Sequence, residues 1–216
     1  MTKKFISWMA ALVVSLGLFS CSEDDNVYDA YANWPARNAE YFTQIVNQAQ
    51  CAIEAAKRSY GDEWEAHCEW RMYKSTTKSP MQQGSHTDYI CVRIEEHGTG
   101  MGCPISSDTV CVNYRGTLMP VQEQVNGEWV KDEKIFSQSF LGELNPAIAV
   151  PAKMKVSSAV AGFATALQYM HIGDKWTVYI PTELAYGGKE SGMVLPYSTL
   201  TFFINLVDYY SPKYGD

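Results

Sequence analysis

The sequence lacks most of the signatures that carry catalytic chemistry. It has no G-x-S-x-G and no H-E-x-x-H, which excludes the common nucleophile elbow and the helical zinc-protease site. It has no C-x-x-C pair, and its four histidines (His67, His86, His97, His171) are scattered, so no metal and no cofactor are expected. Positive charge is scarce: 17 Lys and Arg stand against 24 Asp and Glu, a net charge of −7, and the basic residues form no run. Phosphate backbones need a concentrated positive footprint, so nucleic acid is a poor partner. Binding to an anionic membrane by charge alone is disfavoured for the same reason. Gly98-Thr99-Gly100-Met101-Gly102 has the composition of a phosphate loop, but Cys103-Pro104 follows it instead of a helix start. Those glycines are expected in turns.

What is present describes an exported globular protein. Hydrophobic residues make up 46% of the chain and charged residues 19%, a globular rather than disordered balance. Aromatics reach 13%, with 14 tyrosines, which favours β structure and ring-lined pockets. Lys3 and Lys4 precede an apolar run, Phe5 to Phe19, that is short for a membrane span and reads as a leader. The run ends in Leu18-Phe19-Ser20-Cys21, which resembles the lipobox of bacterial lipoproteins. That resemblance implies cleavage before Cys21 and diacylglycerol on its sulfur. An ordinary secretory signal or a short anchor helix is the alternative. Ser22-Glu23-Asp24-Asp25 resembles the surface-export signal of some Gram-negative lipoproteins and also suits a solvated tether. Residues 1–20 are thus read as signal peptide and 21–33 as tether. Export makes disulfides a consideration. With Cys21 lipidated, Cys51, Cys68, Cys91, Cys103 and Cys111 remain, an odd number. A Cys91–Cys111 cross-strand bridge, a Cys51–Cys68 tie and free buried thiols all stay open.

Beyond the tether, Asn33 suits a helix cap and Pro35 a first turn. Phe42, Ile45, Val46, Ala49, Ile53 and Ala56 recur at three- and four-residue spacing, an apolar stripe that Gly61 ends. The stripe must bury either against the rest of the chain or against a second copy. Glu63 to Tyr73 predicts a second short helix leading into a strand, and Ser75 to Ser85 a linker, so residues 34–85 form a helical extension. From His86 the period drops to two, over Tyr89 to Ile94 and again over Thr109 to Tyr114. Asn126-Gly127 predicts a hairpin. Val160 to Met170 predicts a helix whose Phe163, Ala166, Leu167 and Met170 share a face, closed by Gly173. Trp176 to Ile180 and Thr199 to Val207 are further strands. The order predicts an α+β fold, with one helix laid across an antiparallel sheet.

Five stretches in this order carry a family resemblance. Val110 to Leu118, containing Tyr114-Arg115-Gly116, resembles the FKBP strand ending in Tyr-x-Gly. Lys134 to Ser139 resembles its x-Phe-Asp-Ser-Ser segment, and Val160 to Met170 its helix beginning Val-Ile-x-Gly-Trp. Gly173 to Gly187, ending Leu184-Ala185-Tyr186-Gly187, is the most specific piece, and Val194-Leu195-Pro196 with Leu200 to Leu206 completes the pattern. Residues 86–210 are thereby identified as similar to FKBP-type peptidyl-prolyl cis-trans isomerases. The resemblance implies a half-barrel of about five antiparallel strands wrapped around a short helix, and an isomerase that assists folding of exported proteins. It implies a proline pocket lined by Tyr114, Phe136, Val160, Phe163, Tyr186, Leu195 and Phe202, with Phe163 as floor. The Tyr186 hydroxyl and the Val160 N–H would donate to substrate carbonyls, and Ile148 or Val150 would fill one wall. Proline-containing polypeptide segments are the implied partners, with macrolide-type ligands as weak ones, and the membrane is met through the lipid anchor alone. Two departures stand out: Ser137 replaces the family aspartate and Phe163 the floor tryptophan, which implies weakened activity. A non-catalytic peptide-binding module on the same scaffold is one rival reading. Dimerisation through Phe42, Ile45 and Ile53 is another.

Overall fold

A computed structural model describes residues 29–126 and 128–212. The leader, the lipobox and Cys21 lie outside the described residues.

Helix α1 spans Trp34–Tyr60, with Pro35 in its first turn and Gly61, at φ 56°, closing it. Asn33 occupies the cap position without capping: its backbone is left-handed (φ 51°) and its side chain makes no cap hydrogen bond. Capping requires an extended cap residue to aim its oxygen at the first free amides. Phe42, Ile45, Val46, Ala49 and Ala56 are buried, and Ile53 is partly so. Phe42, Ile45, Val46 and Ala49 pack with Trp70, Met72, Cys91 and Tyr179 of the chain's own sheet. Phe42 and Ile45 are therefore covered internally, which removes them as a surface for a second copy. At roughly 1.5–3 kcal/mol for each large side chain buried, this contact is a substantial part of the fold's stability.

A 3-10 segment of seven residues, Gly61–His67, leads into strand β1, Trp70–Lys74. The remaining elements are β2 (Tyr89–Glu96), β3 (Thr109–Leu118), β4 (Val121–Val125), β5 (Glu128–Asp132), β6 (Ile135–Gln138), β7 (Ala152–Lys155), α2 (Ala161–Leu167), β8 (Lys175–Ile180) and β9 (Leu200–Tyr210). Seven strands form one antiparallel sheet in the order β1-β2-β8-β9-β3-β6, and β7 pairs with the same edge of β3 as β6. The count exceeds the expected five because β1 comes from the segment read as extension and because two short strands share one edge. The sheet is not a closed barrel. Strands β4 and β5 form a separate hairpin around Asn126 (φ 52°), with Val125 opposite Glu128.

Alternation along the strands sorts side chains between two cores. Ile90, Val92, Val178 and Ile180 face α2, whose Phe163, Ala166 and Leu167 they meet together with Met170. Cys91 and Tyr179 face α1 on the other side. Helix α2 is shorter than the expected Val160–Met170, yet all four residues of the predicted face are buried. Gly173 (φ 98°) lies beyond its end, in the turn before β8. The expected linker begins docked on α2: Ser75 is buried, its N–H reaches Asp88 O at 2.8 Å, and Thr76 N–H reaches Thr165 Oγ1 at 3.2 Å.

Two expectations are corrected. Strands β2 and β3 are separated by β8 and β9, so Cys91 and Cys111 cannot bridge. Cys51, Cys68, Cys91, Cys103 and Cys111 are all free thiols, and burial under α1 pushes the Cys91 thiol up to about 12. The Gly98–Gly102 stretch also owes less to turns than to close approach. A Cβ at Gly98 would stand 2.3 Å from Ile172 O, because this stretch lies against the turn before β8 and is held there by Asp174, which accepts Gly98 N–H at 2.6 Å.

Candidate active site

A cavity of about 390 Å³ opens at one end of the sheet, and six of the seven sequence-chosen residues line it: Tyr114, Phe136, Val160, Phe163, Tyr186 and Phe202. Strand β3 supplies Tyr114, β6 Phe136, β9 Phe202, and the first turn of α2 Phe163. The rings meet edge to face. Phe163 and Phe202 stand 4.9 Å apart at 77°, Phe136 and Phe202 5.4 Å at 85°, and Tyr114 and Phe163 6.1 Å at 82°. Such pairs add about 0.5–1.5 kcal/mol each beyond the area they bury, which favours this arrangement of the rings. Phe163 is 3% exposed and sits at the base of the lattice.

Gly116 lets that lattice close. A Cβ there would stand 2.6 Å from both Phe136 Cζ and Phe202 Cε1. Tyr114 is fixed by its neighbours: its N–H donates to Ser139 Oγ at 2.9 Å, its carbonyl accepts Ser139 N–H at 2.9 Å, and its hydroxyl is hydrogen-bonded to Ser137 Oγ at 3.0 Å. Ser137 thus supports Tyr114 through a neutral hydrogen bond.

Leu195 is not among the cavity-lining residues. It is partly buried against the main core, and its neighbour Val194 takes the wall instead. Val194 belongs to a tight turn in which Ser191 and Val194 exchange N–H···O bonds of 3.0 and 2.9 Å. Ile148 and Val150 do not fill a wall either; they are 78% and 79% exposed, and Met154 of β7 lines the cavity. Ser137 lines it from β6, and Ser158, Ala159, Ser191, Gly192 and Met193 complete the lining. No sequence periodicity marks these last residues, because they lie in turns on either side of regular elements.

The lining contains no carboxylate, amine, guanidinium or imidazole. Val160 is the residue before α2, and its carbonyl accepts Ala164 N–H at 2.9 Å. Its own N–H, like the Tyr186 hydroxyl, has no hydrogen-bond partner among the described residues. The site therefore offers rings, aliphatic walls, the hydroxyls of Ser137, Ser158 and Ser191, and the two unpartnered donors of Val160 and Tyr186, with no base beside any hydroxyl to support proton transfer or nucleophilic attack. No group of three metal-ligating side chains occurs among the described residues.

Residues 103–207 match the family described as FKBP-type peptidyl-prolyl cis-trans isomerase. This part of the chain is an FKBP domain. Among curated relatives, the "Outer membrane protein MIP" of Legionella longbeachae is 34% identical over 116 residues, covering 53% of this chain and 42% of that protein. The "FKBP-type peptidyl-prolyl cis-trans isomerase FkpA" of Escherichia coli K12 is 26% identical over 185 residues, covering 84% of this chain and 61% of that protein. The chain thus spans about half the length of these relatives. A solved peptidyl-prolyl cis-trans isomerase from Pseudomonas syringae pv. tomato is 23% identical with a TM-score of 0.46, covering 78% of this chain and 96% of that one. The six cavity-lining residues chosen from sequence all lie within the FKBP match, whereas α1, β1 and β2 precede it.

Proposed function

We propose that the chain catalyses cis-trans isomerisation of X-Pro bonds in exported polypeptides, held at a bacterial membrane by a lipid on Cys21. The observation that carries this reading is the ring-lined cup of Tyr114, Phe136, Phe163 and Phe202 with two unpartnered donors, Val160 N–H and Tyr186 hydroxyl, among its lining residues.

The chemistry follows from the amide. Rotation about an X-Pro bond crosses a barrier of about 18–20 kcal/mol because resonance gives C–N partial double-bond character and places negative charge on the carbonyl oxygen. A dry apolar pocket solvates that charge poorly and so disfavours the planar amide relative to the twisted one. The rings hold the pyrrolidine, while the Val160 and Tyr186 donors fix the flanking carbonyls in a turn that favours twisting. No bond to carbon is made or broken, which agrees with a lining free of acids and bases. Ser137, neutral where the family has aspartate, and Phe163, without an indole N–H, make this a slower isomerase and a weaker macrolide binder than a full-motif member.

The Leu18-Phe19-Ser20-Cys21 sequence supports the anchor, as does a relative named an outer membrane protein. Among the described residues no helix is long and apolar enough to cross a membrane. The proposed organisation is a signal peptide over 1–20, a tether over 21–33, a helical extension over 34–85 and the FKBP-like domain over 86–210. A protease-coupled assay on a prolyl peptide tests the activity. Catalysis at micromolar protein above the spontaneous rate supports it, and a rate equal to background refutes it.

A further inference from the structure

The side of the cavity formed by Tyr186 and Val194 is held by residues that lie far outside the FKBP match. Asn38 of α1 is 1% exposed. Its Oδ1 accepts Thr199 N–H at 2.8 Å, its carbonyl accepts the Thr199 hydroxyl at 3.1 Å, and its Nδ2 donates to Trp34 O at 2.8 Å. One helical turn earlier on the same face, Trp34 Nε1 donates to Ser198 Oγ at 3.0 Å. Ser198 Oγ in turn donates to Leu195 O at 2.6 Å. A buried polar group left without its partner is costly, so these bonds fix the segment closely to the helix.

The segment needs fixing. Tyr197, between Leu195 and Ser198, has φ 62°, a left-handed conformation that a residue with a large side chain keeps only where its surroundings impose it. Its N–H donates to Gly187 O at 2.8 Å. Thr182 Oγ1 donates to the same carbonyl at 3.2 Å, and Thr182 O accepts Gly187 N–H at 2.9 Å. The Tyr197 hydroxyl also lies so close to Gly188 that a Cβ there would stand 2.9 Å away. Tyr197 is thus the contact between the clamped segment and the turn that carries Tyr186. On its other side the segment continues directly into Val194.

We propose that Trp34 and Asn38 are positioning residues for the prolyl pocket. Through Ser198 and Thr199 they hold Tyr197 in its left-handed state, and so set the turns that present Tyr186 and Val194. Helix α1 is then a working part of the pocket, not a separable extension. This rests on the isomerase reading of the cavity, but the clamp itself is measurable without any substrate.

The test uses the full chain with two substitutions made separately. Asn38→Leu keeps the branched shape and deletes the two side-chain bonds, to Thr199 N–H and Trp34 O, while leaving the Asn38 carbonyl to accept the Thr199 hydroxyl. Ser198→Ala deletes both the acceptor for Trp34 and the donor to Leu195. Hydrogen exchange at the Tyr197 and Thr199 amides is compared with that at Val92 and Val178 in the sheet, alongside kcat and KM per folded molecule on a prolyl peptide. Exchange at Tyr197 and Thr199 is expected to quicken about tenfold or more while the sheet amides change less than about threefold. kcat/KM is expected to fall about five- to twentyfold, mainly in kcat. Gln48→Ala, exposed on α1, is expected to change neither. A uniform rise in exchange with unchanged kcat/KM per folded molecule would overturn the proposal, since the bonds would then serve stability alone. Should Asn38→Leu fail to fold, Ser198→Ala decides by the same criteria. A wild-type chain without isomerase activity would sink the reading of the cavity. In that case localised exchange would still establish the clamp, and uniform exchange would remove it.

Discussion

Replacing Gly116 by alanine perturbs the pocket at a point where its backbone and two of its rings meet closely. The added Cβ would stand 2.6 Å from Phe136 Cζ and from Phe202 Cε1, where ordinary contact begins near 3.4 Å. One or both rings must therefore retreat by about 0.8 Å. Phe202 has little room to do so: it is 6% exposed and wedged between Phe136 at 5.4 Å and Phe163 at 4.9 Å. Overpacking of this kind costs about 1–3 kcal/mol, and a fold with the usual margin of about 5–15 kcal/mol survives it. We expect Gly116→Ala to fold with its urea midpoint lowered by an amount equivalent to about 2 kcal/mol. Its kcat/KM on a prolyl peptide should fall about ten- to a hundredfold, because displacements near 1 Å at a reacting site cost up to about 10²-fold. The loss of activity would then exceed any loss of folded protein. A variant with wild-type midpoint and wild-type kcat/KM would refute the reasoning, since the rings could then move freely.

Other expectations can be checked on the same protein. Ser137→Asp should turn the hydrogen bond to the Tyr114 hydroxyl into a charge-assisted one and raise kcat/KM about three- to tenfold in the coupled assay; no gain would show that the carboxylate is immaterial here. Tyr186→Phe should lower kcat/KM about tenfold with an unchanged melting temperature, since that hydroxyl supports no other described residue. Phe42→Ala should destabilise by about 3–5 kcal/mol in denaturant titrations, because the ring is 1% exposed beneath the sheet. Burial raises Cys91, Tyr73 and Tyr179 to about 12. The folded chain therefore keeps protons that the unfolded chain releases from pH 9 to 10 upward. Stability is full below that range and is lost as pH rises towards 12, which melting curves at successive alkaline pH values will follow.

The parts of the fold legible in sequence are those with a one-sided core. Ile90, Val92 and Ile94 alternate because one face of β2 meets α2, and Phe42 to Ala56 repeat at helical spacing because one face of α1 meets the sheet. The sequence predicts a strand at the end of Glu63 to Tyr73, but that Trp70–Lys74 joins the main sheet is not legible in it, because five edge residues are too few to establish a period. Strand β7 is shorter still, and only its Met154 reaches the cavity. Choosing between Val194 and Leu195 required the backbone of a turn, which no pattern of apolar residues encodes. Asn38 was invisible for another reason: a single buried asparagine inside a helical stripe has no spacing of its own, and its partner Thr199 lies 161 residues away. Of the cysteine alternatives, the Cys91–Cys111 bridge fails on topology, because pairing two strands requires knowing which others run between them, and free thiols are what the fold holds.

Two-dimensional exchange NMR on an unlabelled X-Pro peptide addresses the central claim most directly, because it observes the rotation itself without a coupling protease. With the protein at a small fraction of the peptide concentration, cross-peaks linking the cis and trans proline signals should appear within mixing times of about a second or less, far shorter than the tens of seconds or more of the spontaneous process. They should weaken with Tyr186→Phe and with Gly116→Ala. Cross-peaks absent at every protein concentration, with the fold intact, would contradict the account.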